Sequence, residues 1–584
     1  MNTMSYPGNK KIVECRPLLE KEGDFPELSP LLKRIFLARG LTSSAQLDRS
    51  FTQLPRPWHF SNMDAMTTHL VTALSEQKAI CIVADIDADG ATSCAVAMKG
   101  LRLLGAQNVN FVVPNRFEHA YGLTPEIVEI AASQHAQVLI TVDNGISSHE
   151  GVLAAKAQGM TVLITDHHLP GQQLPQADAI VNPNLAGDLF PSKAIAGVGV
   201  IFYVLLALRQ RLRELDWFTQ KKSLEPNLAQ LLDYVALGTV ADVVTLDEIN
   251  RTLVYQGLLR IRQGKAHPGI LALIESAGKN PITFQAHDFG FSVAPRLNAA
   301  GRMQDMSVGI HCLLEDDIDK AREIAAQLDA LNIERREIER TMKQEAINLL
   351  DATYAYDKPH PEYGICLYDE NWHQGVIGIL AARLKERLHR PVITFANAGH
   401  NLIKGSGRSI EGLHLRDVLS DIATEHPHLI EQFGGHAMAA GLSLHAHHLP
   451  SFSIAFDDMV RKRLSSIDLQ QKILSDGELN ETDLNLDLAD LLQNVATWGQ
   501  HFPEPIFHGT FDVVHVRILK DQHLKLLVRL NTAGKELEAI AFNVEKPERW
   551  QGIRRVFLVY KLDINLFRGH RSLQLMVQYL EKIL

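Results

Sequence analysis

Between Lys78 and about Pro183, short apolar runs alternate with stretches that have the spacing of amphipathic helices. Because parallel strands need a crossover connection, usually a helix, this alternation predicts an α/β fold with a doubly wound parallel sheet. The runs that indicate buried strands are AICIVAD (79–85), NVNFVVP (108–114), AQVLITVD (136–143), MTVLITD (160–166) and ADAIVNP (177–183).

Acidic residues and histidines stand at the carboxyl ends of three of these runs, and a further aspartate follows a predicted helix. They are Asp85, Asp87 and Asp89 after the first run, Asp143 after the third, Asp166-His167-His168 after the fourth, and Asp242 in GTVADVV. In a doubly wound sheet the carboxyl ends of the strands border one crevice, where ligands bind. We therefore expect these side chains to meet.

The residue types in this set predict a metal centre. Three carboxylates in a D-x-D-x-D-G run cannot all ionise close together without a cation to neutralise them. Oxygen ligands with a histidine suit Mg²⁺ or Mn²⁺ better than zinc. Two such ions, roughly 3.5–4 Å apart, activate a water molecule and stabilise the leaving oxygen of a phosphoester.

Each element also has a simpler interpretation. The D-x-D-x-D-G run is similar to a calcium loop of the EF-hand type, although Val96 stands where that loop has its glutamate. A single aspartate such as Asp143 is often a turn or helix-capping residue, and Asp-His-His fits a solvated loop. The occurrence of all the sites together on successive strand ends favours the metal centre.

The rest of the chain predicts further units. Helical sequence covers 194–215 and 227–262, and one long helix is expected at 316–352. Its apolar stripe consists of Ile324, Leu328, Leu331, Ile338, Met342 and Leu349, and Arg335 is expected away from this stripe. We favour a spacer between domains over a coiled-coil arm for this helix. A second α/β unit begins at 363–369, followed by three glycine-rich turns at 405–409, 411–414 and 433–441. Five short β runs after Phe507 predict a small barrel such as an OB-fold.

Composition indicates the cellular compartment and the redox state of the cysteines. No stretch reaches the roughly 18 apolar residues that a membrane span needs, and no signal-peptide pattern stands at the start, so we expect a cytoplasmic protein without membrane contact. Five scattered cysteines (Cys15, Cys81, Cys94, Cys312 and Cys366) predict buried, reduced thiols. The net charge is −10, but from His508 onward 13 Lys and Arg face 8 Asp and Glu, which leaves room for a local basic surface.

The motifs resemble those of the DHH phosphoesterase superfamily and, within it, the RecJ exonuclease family. The stretches that carry the resemblance are DIDADGATS, TVDNGI, TDHH, NPN, GTVADVV, PRLNAAGRM, NWHQGVIGILAARL, GSGRSIEGLHLRDVL and FGGHAMAAGLS, from about Leu54 to Leu442, with a looser likeness in the tail. The sequence departs from the family pattern at Ala84, Ile86 and Thr245, and none of these changes removes a ligand.

The resemblance implies roles for the clustered residues. Asp87, Asp89, Asp143, His167 and Asp242 would be ligands of two Mg²⁺ or Mn²⁺ ions, with Asp143 bridging them and Asp85 completing the ligand set of the first ion. His168 would contact the scissile phosphate or donate a proton, so His167, His168 and Asp89 are the expected catalytic residues. By the same resemblance, Arg116, Ser406 and Arg408 would hold the 5′-terminal phosphate, and Arg302, Arg383 and His436 would contact phosphates nearer the cut.

The implied architecture has five parts: an N-terminal segment (1–55), a DHH catalytic domain (56–315), the connecting helix (316–352), a smaller DHH-associated α/β domain (353–464) and an OB-fold-like β-barrel (465–584). A strand pinned at its 5′ end would be digested 5′→3′ to mononucleotides, and a cleft between two domains would exclude a duplex. Lys520, Lys525, Arg529, Arg554 and Arg555 of the barrel would extend the track, unless the barrel is structural or binds a partner.

The leading hypothesis is a monomeric exonuclease acting on single-stranded DNA in recombination, mismatch repair and other DNA repair. A helicase and a single-strand binding protein are partners expected from the family. One alternative is a DHH phosphodiesterase for nanoRNA or cyclic dinucleotides. Another is a non-catalytic replication scaffold, which predicts loss of ligands that this sequence retains.

Overall fold

A computed structural model describes residues 11–18, 23–119, 122–353, 362–531, 534–567 and 569–583. Parts of the predicted N-terminal segment and of the loop before the second α/β unit therefore lie outside the described residues. The N-terminal part contains strand β1 (Ile12–Cys15) and helices α1 (Pro30–Leu37) and α2 (Met63–Ser75).

The predicted parallel sheet is confirmed. Its elements are β2 (Ile80–Ala84), α3 (Ala88–Leu103), β3 (Val109–Val112), α4 (Pro125–Ser133), β4 (Val138–Val142), α5 (His149–Ala157), β5 (Thr161–Thr165) and β6 (Ala179–Val181). The strands are all parallel in the order β3-β2-β4-β5-β6. Cys81 and Val83 pack in one core with Ile127 and Val152, while Ile82 belongs to a second core on the opposite face. Both faces are covered, as a doubly wound sheet requires.

A helical region follows the sheet and ends in the long helix. Its members are α6 (Gly197–Glu214), α7 (Trp217–Gln220), α8 (Leu232–Ala241), α9 (Glu248–Arg262), α10 (Pro268–Ser276), α11 (Ala286–Asp288), α12 (Ala294–Met303), α13 (Ser307–Leu314) and α14 (Ile318–Thr353). Helices α6 and α8 pack against α3, which brings the end of α8 to the carboxyl edge of the sheet.

The long helix α14 exists as predicted, but its buried stripe differs from the expected one. Leu328, Leu331 and Met342 are buried, whereas Leu349 is 41% exposed and Ala346 and Leu350 take its place in the interior. A helix with 3.6 residues per turn drifts away from a strict seven-residue step, so the stripe moves along its surface. The prediction that Arg335 lies away from the interior is also wrong: it is buried and contacts Asn332 and Glu339.

The second α/β unit contains β7 (Ile365–Tyr368), α15 (Ile377–Leu388), β8 (Val392–Gly399), β9 (Leu402–Arg408), α16 (Leu415–Glu425), β10 (Gln432–Gly435), β11 (Ala439–His445) and α17 (Leu449–Arg463). Its sheet is mixed, with the order β10-β11-β9-β8-β7.

Two of the three predicted glycine-rich turns are mainly strands. The 405–408 stretch forms the end of β9, and 433–441 contains parts of β10 and β11 around a short turn. The glycines of β9 allow close packing rather than a turn. A Cβ atom at Gly405 would lie 2.5 Å from the Phe395 ring, and one at Gly407 would lie 2.8 Å from Leu415.

The C-terminal part forms the expected small barrel. After β12 (Lys472–Ser475) and α18 (Leu486–Asn494) come β13 (Phe507–Leu519), β14 (His523–Arg529), β15 (Leu537–Ala541), β16 (Arg555–Phe567) and β17 (His570–Ile583). The barrel closes in the order β13-β14-β15-β17-β16. All its pairs are antiparallel except β15 with β17.

The N-terminal strand is joined to the segment that precedes the barrel. Strand β1 pairs in parallel with β12, Ile12 opposite Lys472. Arg39 donates two hydrogen bonds to the buried carboxylate of Asp476, at 2.7 and 3.0 Å.

The cysteines follow the prediction only in part. All five thiols are free, and Cys81, Cys94 and Cys312 are buried, but Cys15 is exposed because it lies in the short strand β1. None of the described helices combines the length and apolar composition needed to cross a membrane.

Candidate metal and nucleic-acid site

The first acidic run turns directly from strand β2 into helix α3. Asp87 is the residue that caps this helix, and its Oδ1 accepts the backbone N–H groups of Asp89 and Gly90 at 2.9 and 3.0 Å. Asp89 lies in the first turn and is buried. Asp87 can therefore cap the helix with Oδ1 and still offer Oδ2 to a metal ion, so the two interpretations of this run are compatible.

The carboxylates from separate elements gather around the His167 ring. Its Nε2 atom lies 3.0 Å from Asp143 Oδ1, 3.5 Å from Asp242 Oδ2 and 4.0 Å from Asp89 Oδ2. Asp143 directly follows β4 with a φ of +62°, and Asp242 caps the carboxyl end of α8. Residues separated by up to 153 positions in the sequence thus share one small volume.

The possible ligand atoms form overlapping groups. Within each group the atoms lie within 4.8 Å of one another: Asp85 with Asp87 and Asp143, Asp89 with His167 and Asp242, and Asp143 with both histidines of the 167–168 pair. The first two groups would each hold one ion, and Asp143 of the first group lies 3.0 Å from His167 of the second. All six predicted ligands are thus brought together.

Two buried atoms at the centre lack hydrogen-bond partners among the described residues, namely Asp143 Oδ1 and His167 Nε2. Buried polar atoms are normally satisfied, so a pair of unsatisfied ligand atoms 3.0 Å apart is typical of a site built for a cation.

The electrostatics of the site lead to the same conclusion. Burial, followed by the neighbouring Asp87, raises the pKa of Asp89 to about 7. Burial and the other carboxylates raise the pKa values of Asp143 and Asp242 well above the ordinary range. Burial lowers the pKa of His167 to about 4, so its ring is neutral and keeps a lone pair for a ligand bond. This donor set fits Mg²⁺ or Mn²⁺.

Asp89 is also held by a helix end that the sequence did not reveal. Its Oδ2 accepts the N–H of Gly197 at 2.7 Å, and its Oδ1 accepts the N–H of Val198 at 3.0 Å. These are the first residues of α6, where the helix dipole favours negative charge. The interaction fixes the orientation of the carboxylate.

His168 has a different partner from His167. Its Nδ1 lies 2.7 Å from Asp166 Oδ1, and Asp166 also accepts the backbone N–H groups of Ile146, His167 and His168. Burial alone would lower the pKa of His168, but the Asp166 carboxylate outweighs it and raises that pKa to about 9. His168 is therefore an imidazolium at neutral pH.

The NPN stretch supports this histidine pair from behind. Asn182 donates to the carbonyl oxygen of His168 at 2.8 Å, and Asn184 donates to that of His167 at 2.6 Å. Asp166 was expected at this edge without a role of its own, and the two asparagines had no predicted role, although their place at the end of the fifth apolar run was the available signal.

Several of the predicted phosphate-binding residues form an arginine cluster beside the carboxylates. Burial lowers the pKa of Arg302 to about 10, and the nearby charges of Arg116, Arg408 and Arg335 add to the effect. Arg408 donates to Ser406 Oγ at 3.2 Å, and Arg116 donates to the carbonyl oxygen of Gly301 at 3.1 Å. Like charges held together at this density favour an anion such as phosphate.

The other two predicted phosphate contacts are placed differently. His436 stacks on His168 with ring centres 6.2 Å apart, which joins the second α/β unit to the catalytic edge. Arg383 instead lies in an ion pair, with Nε 2.8 Å from Glu339 Oε1, and Glu339 also binds Arg335 at 2.8 Å. Arg335 was not a predicted site residue, because the helix pattern indicated a solvated position.

The positive charge of the barrel is partly neutralised. Lys525 lies 2.7 Å from Glu538, Arg555 lies 3.3 Å from Asp512, and Arg529 pairs with Glu536. A continuous basic track over Lys520, Lys525, Arg529, Arg554 and Arg555 remains a prediction.

Comparison with known proteins assigns all three regions. The chain matches the DHH family, N-terminal domain, over residues 79–239, the DHHA1 domain over 362–462 and the RecJ OB domain over 475–579. It is 50% identical to the single-stranded-DNA-specific exonuclease RecJ of Salmonella typhimurium over 94% of this chain and 96% of the relative. It is 49% identical to that of Escherichia coli over 96% and 97%.

Solved structures agree with this. RecJ from Thermus thermophilus in complex with Mn²⁺ superposes with a TM-score of 0.79 at 27% identity, covering 95% of this chain and 76% of that chain. The Mg²⁺ complex from the same organism has a TM-score of 0.73 at 26% identity, covering 95% and 75%.

Proposed function

The chain belongs to the RecJ family of single-stranded-DNA-specific exonucleases, and we propose that it hydrolyses single-stranded DNA 5′→3′ to mononucleotides, in recombination and in mismatch and other DNA repair. One observation carries the proposal. A buried carboxylate–histidine cluster lies beside an arginine cluster, so a cleavage site for a phosphodiester adjoins a binding site for a phosphate.

The cofactors are two Mg²⁺ or Mn²⁺ ions. The proposed ligands are Asp85, Asp87, Asp89, Asp143, His167 and Asp242, and the unsatisfied atoms of Asp143 and His167 fit such ions. When bound, the ions neutralise the carboxylates and the phosphate and make a water molecule nucleophilic at neutral pH.

His168 is the residue proposed to act on the reacting phosphate. Because Asp166 keeps its ring protonated, His168 offers a charged N–H group to a phosphate oxygen or a proton to the leaving oxygen. The ring of His436, whose centre lies 6.2 Å from that of His168, brings a second imidazole to the same phosphate.

The direction of digestion depends on the arginine cluster. We assign Arg116, Ser406 and Arg408 to the 5′-terminal phosphate and Arg302 to the next phosphate toward the cut. Both Arg116 and Arg302 lie close enough to the carboxylates for the charge of Asp87 to act on their pKa values, so the phosphate-binding cluster adjoins the cleavage site. A strand anchored there presents its first phosphodiester to the carboxylates, and removal of one nucleotide restores the same arrangement. Arg383 would contact a DNA phosphate only if its ion pair with Glu339 were broken.

The proposal extends to organisation and partners. The proposed parts are the N-terminal segment (1–55), the DHH domain (56–315), the connecting helix (316–352), the DHH-associated domain (353–464) and the barrel (465–584). The proposed enzyme is a monomer whose substrate is single-stranded DNA. The RecJ OB domain supports strand binding by the barrel. A helicase and a single-strand binding protein are the proposed protein partners, in the cytoplasm where bacterial DNA lies.

A degradation assay tests the function. Strands labelled at either end are incubated with Mg²⁺, with Mn²⁺ or with a chelator, next to a matched duplex and a dinucleotide. We expect metal-dependent loss of the 5′ label as a mononucleotide from the single strand only. Asp89→Ala and His167→Ala should abolish cleavage while strand binding remains. Preferred hydrolysis of the dinucleotide would favour the short-substrate phosphodiesterase, and inactivity with all metals would favour the scaffold.

A further inference from the structure

Four histidines and a glutamate gather at the base of the β10–β11 hairpin, on elements outside the carboxylate site. His445 is the last residue of β11, and His447 and His448 lie in the short 3₁₀ turn that leads into α17. His428 and Glu431 come from the loop between α16 and β10. No role in DNA cleavage has been assigned to any of them.

The rings are close to one another. The ring centres of His447 and His448 are 4.0 Å apart, those of His445 and His447 are 5.6 Å apart, and those of His428 and His448 are 5.8 Å apart. The Nε2 atom of His445 lies 3.5 Å from Glu431 Oε1.

These ring separations, 4.0 to 5.8 Å, lie on either side of the spacing expected for imidazoles that share one ion. With a metal–nitrogen distance of about 2.1 Å and tetrahedral angles, two ligand rings on one zinc ion have their centres about 5 Å apart. We propose that His428, His445, His447 and His448, together with Glu431, form a second metal site that takes one divalent cation of the imidazole-preferring class, such as Zn²⁺, Ni²⁺ or Cu²⁺.

The central histidine is prepared for this role. The Nδ1 atom of His448 is buried and has no hydrogen-bond partner among the described residues. Buried polar atoms normally have a partner, so this nitrogen is available to a metal ion.

The ligand atoms of the proposed site do not yet converge on one point. Among the described residues, groups of three ligand atoms within 4.8 Å of one another all belong to the carboxylate site. The histidine nitrogens must therefore turn inward on binding. His445 and Glu431 are 37% and 50% exposed, so changes of rotamer are open to them at small cost.

The ligand types separate this site from the catalytic one. Imidazole nitrogen favours Zn²⁺, Ni²⁺ and Cu²⁺, whereas the carboxylate set fits Mg²⁺ and Mn²⁺. The position also has a mechanical consequence. Gln432 pairs with Ser443 at the base of the hairpin, and its turn holds His436 against His168. An ion at the base would join both strands to the start of α17 and stiffen the hairpin that reaches the catalytic edge.

The experiment measures Zn²⁺ bound by the full-length chain without an affinity tag. Isothermal titration and elemental analysis are applied to the wild type, to a His447→Ala/His448→Ala double variant and to His149→Ala, an exposed histidine outside the cluster. We expect the double variant to bind one Zn²⁺ fewer than the wild type, and His149→Ala to bind the same number. Single replacement of His448 should weaken that one site by about a hundredfold.

Two further measurements separate this site from the carboxylates and from misfolding. Asp89→Ala should keep the additional Zn²⁺, because the histidine cluster does not include Asp89. The double variant should cleave DNA with Mn²⁺ at the wild-type rate, which shows that it is folded. Equal Zn²⁺ stoichiometry and affinity in the wild type and an active double variant would overturn the proposal.

Discussion

Replacement of Gly197 by alanine tests the carboxylate geometry without changing any proposed ligand. Gly197 is the first residue of α6 and donates its N–H to Asp89. A Cβ atom at this position would lie 2.6 Å from Oδ1, 2.7 Å from Cβ and 2.8 Å from Cγ of Asp143. The substitution therefore acts on two ligands through one methyl group.

The size of the effect follows from these distances. Ordinary contacts begin at 3.4 Å, so Asp143 or the start of α6 must move by about 0.8 Å. Asp143 has little freedom, because it is buried and its backbone is in the left-handed region. Misplacement of about 1 Å in a catalytic group costs roughly a hundredfold in rate, so we expect kcat/KM to fall by about that factor. The free energy of unfolding should fall by about 1–3 kcal/mol, because the added methyl group overpacks a buried position.

The assay compares three proteins. Hydrolysis of a 5′-phosphorylated single strand, Mn²⁺ affinity by titration, and Tm are measured for the wild type, Gly197→Ala and Gly171→Ala. Gly171 is the control, because the nearest atom to its added Cβ would be 3.9 Å away. If folded Gly197→Ala cleaves DNA and binds Mn²⁺ as well as the Gly171→Ala control, the position of Asp143 does not govern catalysis and the reasoning fails.

Three other predictions test separate parts of the structure. Asp166→Asn removes the partner that keeps His168 protonated, so the single-turnover cleavage rate with Mn²⁺ should fall by about a hundredfold or more, while strand affinity stays the same. Arg408→Ala should reduce the preference for 5′-phosphorylated over 5′-hydroxyl strands by about ten- to a hundredfold in competition assays, and an unchanged preference would argue against the assigned phosphate site. The pKa of Glu504 is lowered from 4.5 to about 2: burial opposes the shift, and the hydrogen bond from His287 is the largest cause that lowers it. Glu504→Gln should therefore reduce the free energy of unfolding by about 2 kcal/mol at neutral pH. A lowered pKa stabilises the fold fully above the unfolded value, and this contribution is lost as the pH falls towards the folded value. The difference should therefore shrink as the pH falls from 4.5 to about 2, as measured by denaturant unfolding.

The catalytic edge was predictable because its information is local. Each of Asp85, Asp143 and Asp166 directly follows an apolar run, and the geometry of parallel sheets brings such strand ends together. The helix end that binds Asp89 was not predictable, since Gly197 lies 108 positions away and its backbone N–H has no sequence pattern of its own.

Other differences come from tertiary packing that overrides local preference. The glycines of 405–408 indicated a turn, but they lie in a strand because Phe395 and Leu415 fill the space where side chains would be. Arg335 indicated a solvated helix face, yet Glu339 and Asn332 satisfy it in the interior. The glycines are decided by neighbouring elements, β8 and α16, whereas the partners of Arg335 lie three and four positions away on α14 itself and only its burial comes from tertiary packing.

Strand β1 cannot pair until β12 has been synthesised. A ribosome that has made residues 12–15 must add more than 450 further residues before their partner at 472–475 exists, which takes roughly half a minute to a minute and a half at about 5–20 residues per second. Until then β1 has no strand to pair with, and Arg39 lacks its hydrogen-bond acceptor Asp476. A prematurely terminated chain would keep both defects, so protease sensitivity near the N-terminus should distinguish unfinished chains from complete ones.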